Sequence, residues 1–481
     1  MPESLKDRTR KGLMWSAVNN GATQVLNLVI GICLARLLMP EDYGIVGVLT
    51  IFTTLAAALQ NFGFTQGLIN IREPEDNDYN SVFWFNFFVG LALYILLFFS
   101  APLIADFFHE PRLIKVSRFV FLGFVISSWS ISPGSYLQKN MMNREIAQIA
   151  IAALVISGSL GIFLAWKGAA FWSLAAQQVT YISVITIGRY IYCPWRPSLK
   201  IDFTPVKKMM PLGVNILITN TINILSNHLL TFIFGRMLPM RDVGNFTQAN
   251  KWKLTASDTV TMMMNQLTQT VFVQVGDDNE RKRRVVRKMI RFVAFFALPM
   301  LLGLALVAHE FIVVMLGEKW SESAILLQVL CVGGAFLPFY AIYQNLAIAL
   351  GKGRTYRRIN IGLVVLQFAV ILAFIQQGIL VMVIAYSTFI IAGLSAWQFF
   401  ARRFIQLRHR DVLKDILPAL LTTIIVLTIT YFSTKMIETL WILLICRIVM
   451  AGGLYFLAMW LQKNDILIES LDNFKRRGTQ K

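Results

Sequence analysis

The strongest constraint on this chain is a near-continuous succession of apolar stretches, each about as long as the 20 residues a helix needs to cross roughly 30 Å of hydrocarbon. They fall near residues 12–38, 43–68, 81–105, 113–137, 146–166 and 169–192, then 207–236, 244–275, 288–315, 322–350, 357–376 and 379–401, and finally 413–434 and 440–461. Lipid offers no water to an unpaired backbone N–H or C=O, so the stretches must be helices. The expected fold class is an all-α membrane protein of about 14 transmembrane helices.

Composition agrees. The 481 residues are 56 % hydrophobic and 15 % charged, against about one quarter charged in soluble proteins. A net charge of +19 would point to nucleic acid in a soluble chain, but here the basic residues sit in short connections, and no nucleic-acid partner is expected. The even-numbered connections hold Lys139, Arg144, Arg196, Lys207, Lys208, Arg281 to Arg284, Lys352, Arg357, Arg358, Arg402, Arg403, Arg408 and Arg410, whereas the odd ones hold little beyond Lys167, Lys319 and Lys435. Basic loops stay in the cytoplasm, so both termini are expected there. The acidic segment Arg72 to Asp78 falls on the same side, and acidic residues count little in that rule. The first stretch follows Lys6, Arg8, Arg10 and Lys11 without a small-residue cleavage site and reads as a retained span. Cys33, Cys193, Cys331 and Cys446 have no metal-ligand spacing and read as packing residues. No connection exceeds roughly 15 to 20 residues, so any function must reside in the bundle.

Shifting the chain by 200 residues pairs Asn20 with Asn220, Asn27 with Asn227, Arg36 with Arg236, Leu38 with Leu238, Asp42 with Asp242 and Gly44 with Gly244. Such types are rare in spans, so the match indicates a duplication. Each half holds six spans and the halves therefore point the same way, a parallel repeat with the site expected between them near mid-membrane. The expected organisation is an N-lobe at 1–200, a C-lobe at 201–411, and two extra spans with a tail at 412–481.

Polar residues recur within the spans at helical spacing. Asn20, Gln24 and Asn27 share one face of span 1, and Asn220, Asn223, Asn227 and Thr231 share one of span 7. Span 8 carries Lys251, Thr255, Asp258, Met262, Asn265 and Gln269, about 27 Å of axis at 1.5 Å per residue. Span 2 has a weaker stripe, Thr50, Thr54 and Asn61. A single amide is as well explained as glue between helices. Four stripes on the opening pairs of both halves suit the lining of a wet cavity better. Lys251 and Asp258 lie two turns apart on one face and either neutralise each other or bind substrate and ion, since intramembrane charges face a partner or a cavity. Lys253 points some 200° away and reads as a snorkelling residue near the outer interface. Arg36 and Arg236 beside Asp42 and Asp242 read as anchors or ion pairs, and Arg447 has no evident partner.

The stretches Leu34-Ala-Arg-Leu-Leu-Met-Pro-Glu-Asp-Tyr-Gly44, Phe62-Gly-Phe-Thr-Gln-Gly-Leu68, Val82-Phe-Trp-Phe-Asn86, Phe171-Trp-Ser-Leu174, Leu316-Gly-Glu-Lys-Trp320 and Ala349-Leu-Gly-Lys352, in this order and spacing, resemble the polysaccharide transport family of the MOP flippase superfamily, the Wzx-type exporters. The resemblance implies two six-helix lobes around a cavity lined by spans 1, 2, 7 and 8. It also implies a cargo, an undecaprenyl-pyrophosphate-linked oligosaccharide turned from the cytoplasmic to the outer leaflet of a bacterial plasma membrane for surface polysaccharide synthesis. Lys251 is the residue best placed to give the cavity a basic character. Asn61 departs from the family, where an acidic residue often precedes the Gly63 turn, and a coupling role there is in doubt. Asn20, Gln24, Asn27, Asn61, Asn220, Asn223, Asn227, Asn265 and Gln269 would stand in for water at sugar hydroxyls, and Asp258 is the candidate ion-coupling carboxylate. No Walker A sequence occurs, so the expected drive is a Na⁺ or H⁺ gradient without a bound cofactor. The chain is expected to act as a monomer, with a polymerase and chain-length machinery as candidate partners. The competing readings are an ion-coupled multidrug exporter, which would need an acidic pocket, and a membrane polysaccharide polymerase, which would need a sizeable outer loop.

Overall fold

The computed structural model describes residues 5–61, 63–275, 278–464 and 466–468, and among them the regular structure is entirely helical. Two compact units divide the chain after Gly244. The first, Met1–Gly244, contains α1 (Leu5–Leu37), α2 (Pro40–Asn61), α3 (Phe64–Asn70), α4 (Asp76–Phe107), α5 (Leu113–Ser128), α6 (Ile131–Lys139), α7 (Asn143–Trp166), α8 (Trp172–Tyr192) and α9 (Thr204–Met237). Most of α10 (Met240–Val275) lies in the second unit, Asn245–Lys481. That unit continues with α11 (Asn279–Leu306), α12 (Ala308–Leu316), α13 (Ser321–Gly334), α14 (Leu337–Ala349), α15 (Gly353–Ala373), α16 (Ile379–Ile405), α17 (His409–Thr434) and α18 (Leu440–Leu461).

Each of the fourteen apolar windows falls on one helix or on a pair with a short break, α2–α3, α5–α6, α11–α12 and α13–α14. The break before α3 is a backbone requirement: Gly63 sits at φ 71°, a left-handed conformation that side chains resist. Among the described residues ten stretches are long and apolar enough to cross a membrane, or eleven if α5 and α6, bent by 47°, form one span. The chain is thus a multi-pass membrane protein. The helices outside that count are the short α12 and the longer α8, α9 and α10; polar residues dilute α8 with Gln177, Gln178 and Arg189, and α10 with Lys251, Lys253 and Asp258.

In the first unit α7 packs along α1 and α8, and Ile30 and Leu34 of α1, with Leu38 just beyond its end, bury against Leu154 and Ala165. The acidic segment 72–78 has a local task. Glu75 and Asp78 form a reciprocal capping box at the start of α4, the Glu75 N–H donating to Asp78 Oδ2 at 2.9 Å. Asp76 and Asp78 lie in the first turn, where the helix dipole favours negative charge. In the second unit α11 buries a stripe running from Val286 through Ile290, Val293, Ala297 and Leu301, with α13 and α17 packed on it.

The two segments that the 200-residue shift pairs have matching helix boundaries. Helix α1 ends at Leu37 and α2 begins at Pro40, while α9 ends at Met237 and α10 begins at Met240. Leu38 N–H donates to Leu34 O at 2.8 Å, and Leu238 N–H donates to Phe234 O at 2.8 Å. These two turns also meet each other: a Cβ on Gly44 would overlap the Met240 carbonyl, and a Cβ on Gly244 would overlap the Pro40 carbonyl. Because backbone stands against backbone, no side-chain rotation can relieve the overlap. Gly244→Ala is expected to lower the thermal midpoint of the detergent-solubilised protein by several degrees, as overpacking costs about 1–3 kcal/mol. Gly303→Ala, where a Cβ meets nothing within 4 Å, is the control, and equal behaviour of the two would contradict the contact.

The sequence repeat puts a boundary at residue 200, whereas the compact units divide after Gly244 because α9 packs on α2, α3 and α4. Phe232 of α9 stacks on Phe107 of α4 at 5.2 Å.

Arg447 does have a partner, contrary to expectation. Its Nη1 lies 2.7 Å from Glu310 Oε1, and its Nε donates to Thr434 Oγ1 at 3.2 Å. Both charged residues are 6 % exposed, so α12, α17 and α18 are joined by a buried ion pair. A sequence separation of 137 residues hides the pair from any local reading of the sequence.

Candidate transport site

An amide can meet a polar cargo only if its helix presents it away from packed neighbours. In the first unit Asn20, Gln24 and Asn27 are all exposed on α1. On α2, Thr50 and Thr54 are half-buried and Asn61 is exposed, its Oδ1 accepting from Thr65 Oγ1 at 3.1 Å. On α9, Asn227 is exposed while Thr231 is buried, so the open part of that stripe stops at Asn227. The side chains of Asn220 and Asn223 lie outside the described residues.

In the second unit Lys251, Thr255, Asp258, Met262 and Asn265 of α10 are all exposed, as their spacing predicts. Asn265 Oδ1 accepts from Asn345 Nδ2 of α14 at 2.7 Å. The side chain of Gln269 lies outside the described residues. Lys251 and Asp258 form no ion pair with each other, since seven residues place them about 10.5 Å apart along the axis. No charged partner is found for Lys251 among the described residues, whereas Asp258 feels the charge of the buried Lys253 without forming an ion pair with it. The exposed face of α10 therefore carries one cation and one anion separately, with amide and hydroxyl groups around them.

Lys253 corrects the snorkelling expectation. It is 1 % exposed, its stem lies against Gly334 of α13, and its ammonium sits 5.8 Å from the Tyr386 ring of α16. The same 200° rotation that separates it from Lys251 turns it onto the packed side of α10.

Asn61 also lines a polar cavity of about 450 Å³ within the first unit, together with Gln60, Thr65, Gln66, Gln138 and Arg189. Gln60 is held by α5, donating to Phe124 O at 2.7 Å and accepting from Ser127 Oγ at 2.7 Å. Arg189 escapes a sequence reading because an Arg in the last turn of a span looks like an interfacial anchor. Only the packing of α8 beside α6 brings it to the cavity. A second groove, about 560 Å³ and almost wholly apolar, runs along α11, α17 and α18 in the second unit, lined by Phe295, Met300, Leu304, Leu427, Ile448 and Phe456 among others.

Known proteins share this architecture. The lipopolysaccharide biosynthesis protein WzxC of Escherichia coli K12 is 25 % identical over 337 residues, 69 % of this chain and 68 % of its own. A lipid II flippase, MurJ, in an inward closed conformation superposes with a TM-score of 0.75 at 15 % identity, covering 95 % of this chain and 100 % of that one. An inward-facing multidrug transporter of the MATE family of the MOP superfamily gives 0.63 at 16 % identity, over 80 % of this chain and 94 % of its own. At such identities the two structural likenesses establish the fold. The polysaccharide biosynthesis protein family model matches residues 33–325, more than half of the chain, and this chain belongs to that family.

Proposed function

We propose that the chain is a flippase that carries undecaprenyl-diphosphate-linked oligosaccharide repeat units from the cytoplasmic to the outer leaflet by alternating access, supplying surface polysaccharide synthesis. The protein lies in the bacterial plasma membrane with both termini in the cytoplasm, the side on which its basic connections collect. The observation that carries the reading is the exposed face of α10, where Lys251 and Asn265 stand open without an acidic neighbour in contact with the lysine. Unaided transfer would strip water from a diphosphate and many hydroxyls, each costing several kcal/mol when unpaired. Lys251 answers the diphosphate charge, and Asn20, Gln24, Asn27, Asn61, Asn227 and Asn265 exchange hydrogen bonds with sugar hydroxyls. The apolar groove along α11, α17 and α18 suits the prenyl tail. Asp258, exposed on the same face as Lys251, is the group we assign to coupling with a Na⁺ or H⁺ gradient. The protein works as a monomer and hands its cargo to a polymerase with chain-length machinery.

A multidrug exporter shares the fold but needs an acidic pocket for organic cations. The described exposed stripes hold one Asp and one Lys among amides. A polymerase needs a catalytic loop, and the connections between helices are short. The test is reconstitution of the purified chain in liposomes with fluorescently labelled undecaprenyl-diphosphate oligosaccharide on one leaflet. Protein-dependent appearance of label on the other leaflet is expected. Absence of transfer alongside efflux of ethidium would replace this reading with the exporter.

A further inference from the structure

The cavity of about 450 Å³ in the first unit falls within the range of roughly 300–1,000 Å³ typical of small-molecule sites. Its lining holds one cation, Arg189, and no carboxylate. The guanidinium is tied through Nη1 alone, which donates to the Ser130 carbonyl at 3.1 Å and to Ser130 Oγ at 2.9 Å. Gly134 permits this approach, since a Cβ there would stand 2.6 Å from Nη1. Among the described residues nothing accepts from Nη2 or Nε, and no acid pairs with Arg189. That unused edge of the planar fork is the one that meets both oxygens of a carboxylate or phosphate in parallel hydrogen bonds. Around it stand uncharged donors and acceptors, Asn61, Thr65, Gln66 and Gln138, of the kind that match sugar hydroxyls.

We propose that this cavity is a binding site for an oxyanion carried by the glycan cargo, with Arg189 as its specificity-determining residue. The proposal rests on the flippase reading and makes that reading narrower: the cargo is recognised by an acidic group as well as by hydroxyls. Ser130 fixes the orientation of the guanidinium, and the amides select for a sugar beside the charge. Two sources offer the same chemistry, a sugar carboxylate and the diphosphate bridge to the carrier lipid, and the probes below separate them.

Purified full-length protein is titrated calorimetrically with glucuronate, glucose and inorganic pyrophosphate, with Arg189→Gln and Arg189→Lys alongside. Glucuronate is expected to bind at least tenfold more tightly than glucose, and Arg189→Gln to remove that preference. Arg189→Lys keeps the charge without the fork and is expected to weaken binding several-fold, which preserves the test where the Gln variant does not fold. Binding of pyrophosphate alone, lost in Arg189→Gln, keeps the oxyanion site and assigns it to the carrier bridge. Equal binding of glucuronate and glucose, or anion binding that survives Arg189→Gln, overturns the proposal. In the liposome assay, failure of the wild-type chain to move labelled lipid defeats the flippase reading itself. Wild-type transfer matched by Arg189→Gln defeats only the site.

Discussion

Lys251→Ala is expected to leave the chain in the membrane at its normal level while export of lipid-linked oligosaccharide falls by one to two powers of ten. The size follows from the loss of a charged donor: a hydrogen bond to a charged group contributes about 1.5–3 kcal/mol, and about 1.4 kcal/mol is tenfold in rate. Folding is expected to be nearly unaffected, because Lys251 is exposed on α10 and no ion pair is broken by its removal. Lys251→Arg keeps charge and donors and should retain most transport. The measurement is lipid-linked oligosaccharide retained on the inner leaflet against surface glycan, normalised to protein in the membrane. Export equal to wild type would remove Lys251 from the transport path.

The largest effect on stability is expected at the pair in the second unit. Glu310→Ala or Arg447→Ala leaves a single charge buried among α12, α17 and α18, at a cost of about 3–5 kcal/mol. Against a native stability of about 5–15 kcal/mol, either change should empty most of the folded population from detergent extracts. Replacing both partners by leucine removes the stranded charge together with its partner, and recovery of most of the lost folded protein is expected. Folded yield and thermal midpoint by fluorescence-detected gel filtration give the comparison. If the double variant is no better than the single ones, the ion pair is not what governs this packing.

What could be read from the linear chain follows the distance over which the cause acts. Hydrophobic length is local, so all fourteen apolar windows coincide with helices or broken pairs, although composition alone supports ten or eleven of them as spans. Helical phase is local too: the spacing that grouped Lys251, Asp258 and Asn265 also places all three on the open side of α10. What phase cannot tell is which side is open. Lys253 was assigned the right angle and the wrong environment, because the opposite face of α10 is covered by α13 and α16. Glu310 and Arg189 gain their meaning from contacts across 137 and 59 residues, a range at which periodicity carries no information. The breaks at α5–α6 and α11–α12 were also invisible, since a bent span has the same hydropathy as a straight one.

Pro40 to Gly44 and Met240 to Gly244 touch through one another's backbone, each glycine against the other segment's first helical residue. Such reciprocity is the mark of an isologous interface, where residue i meets j and j meets i. Bulk added to either turn is therefore felt by both segments.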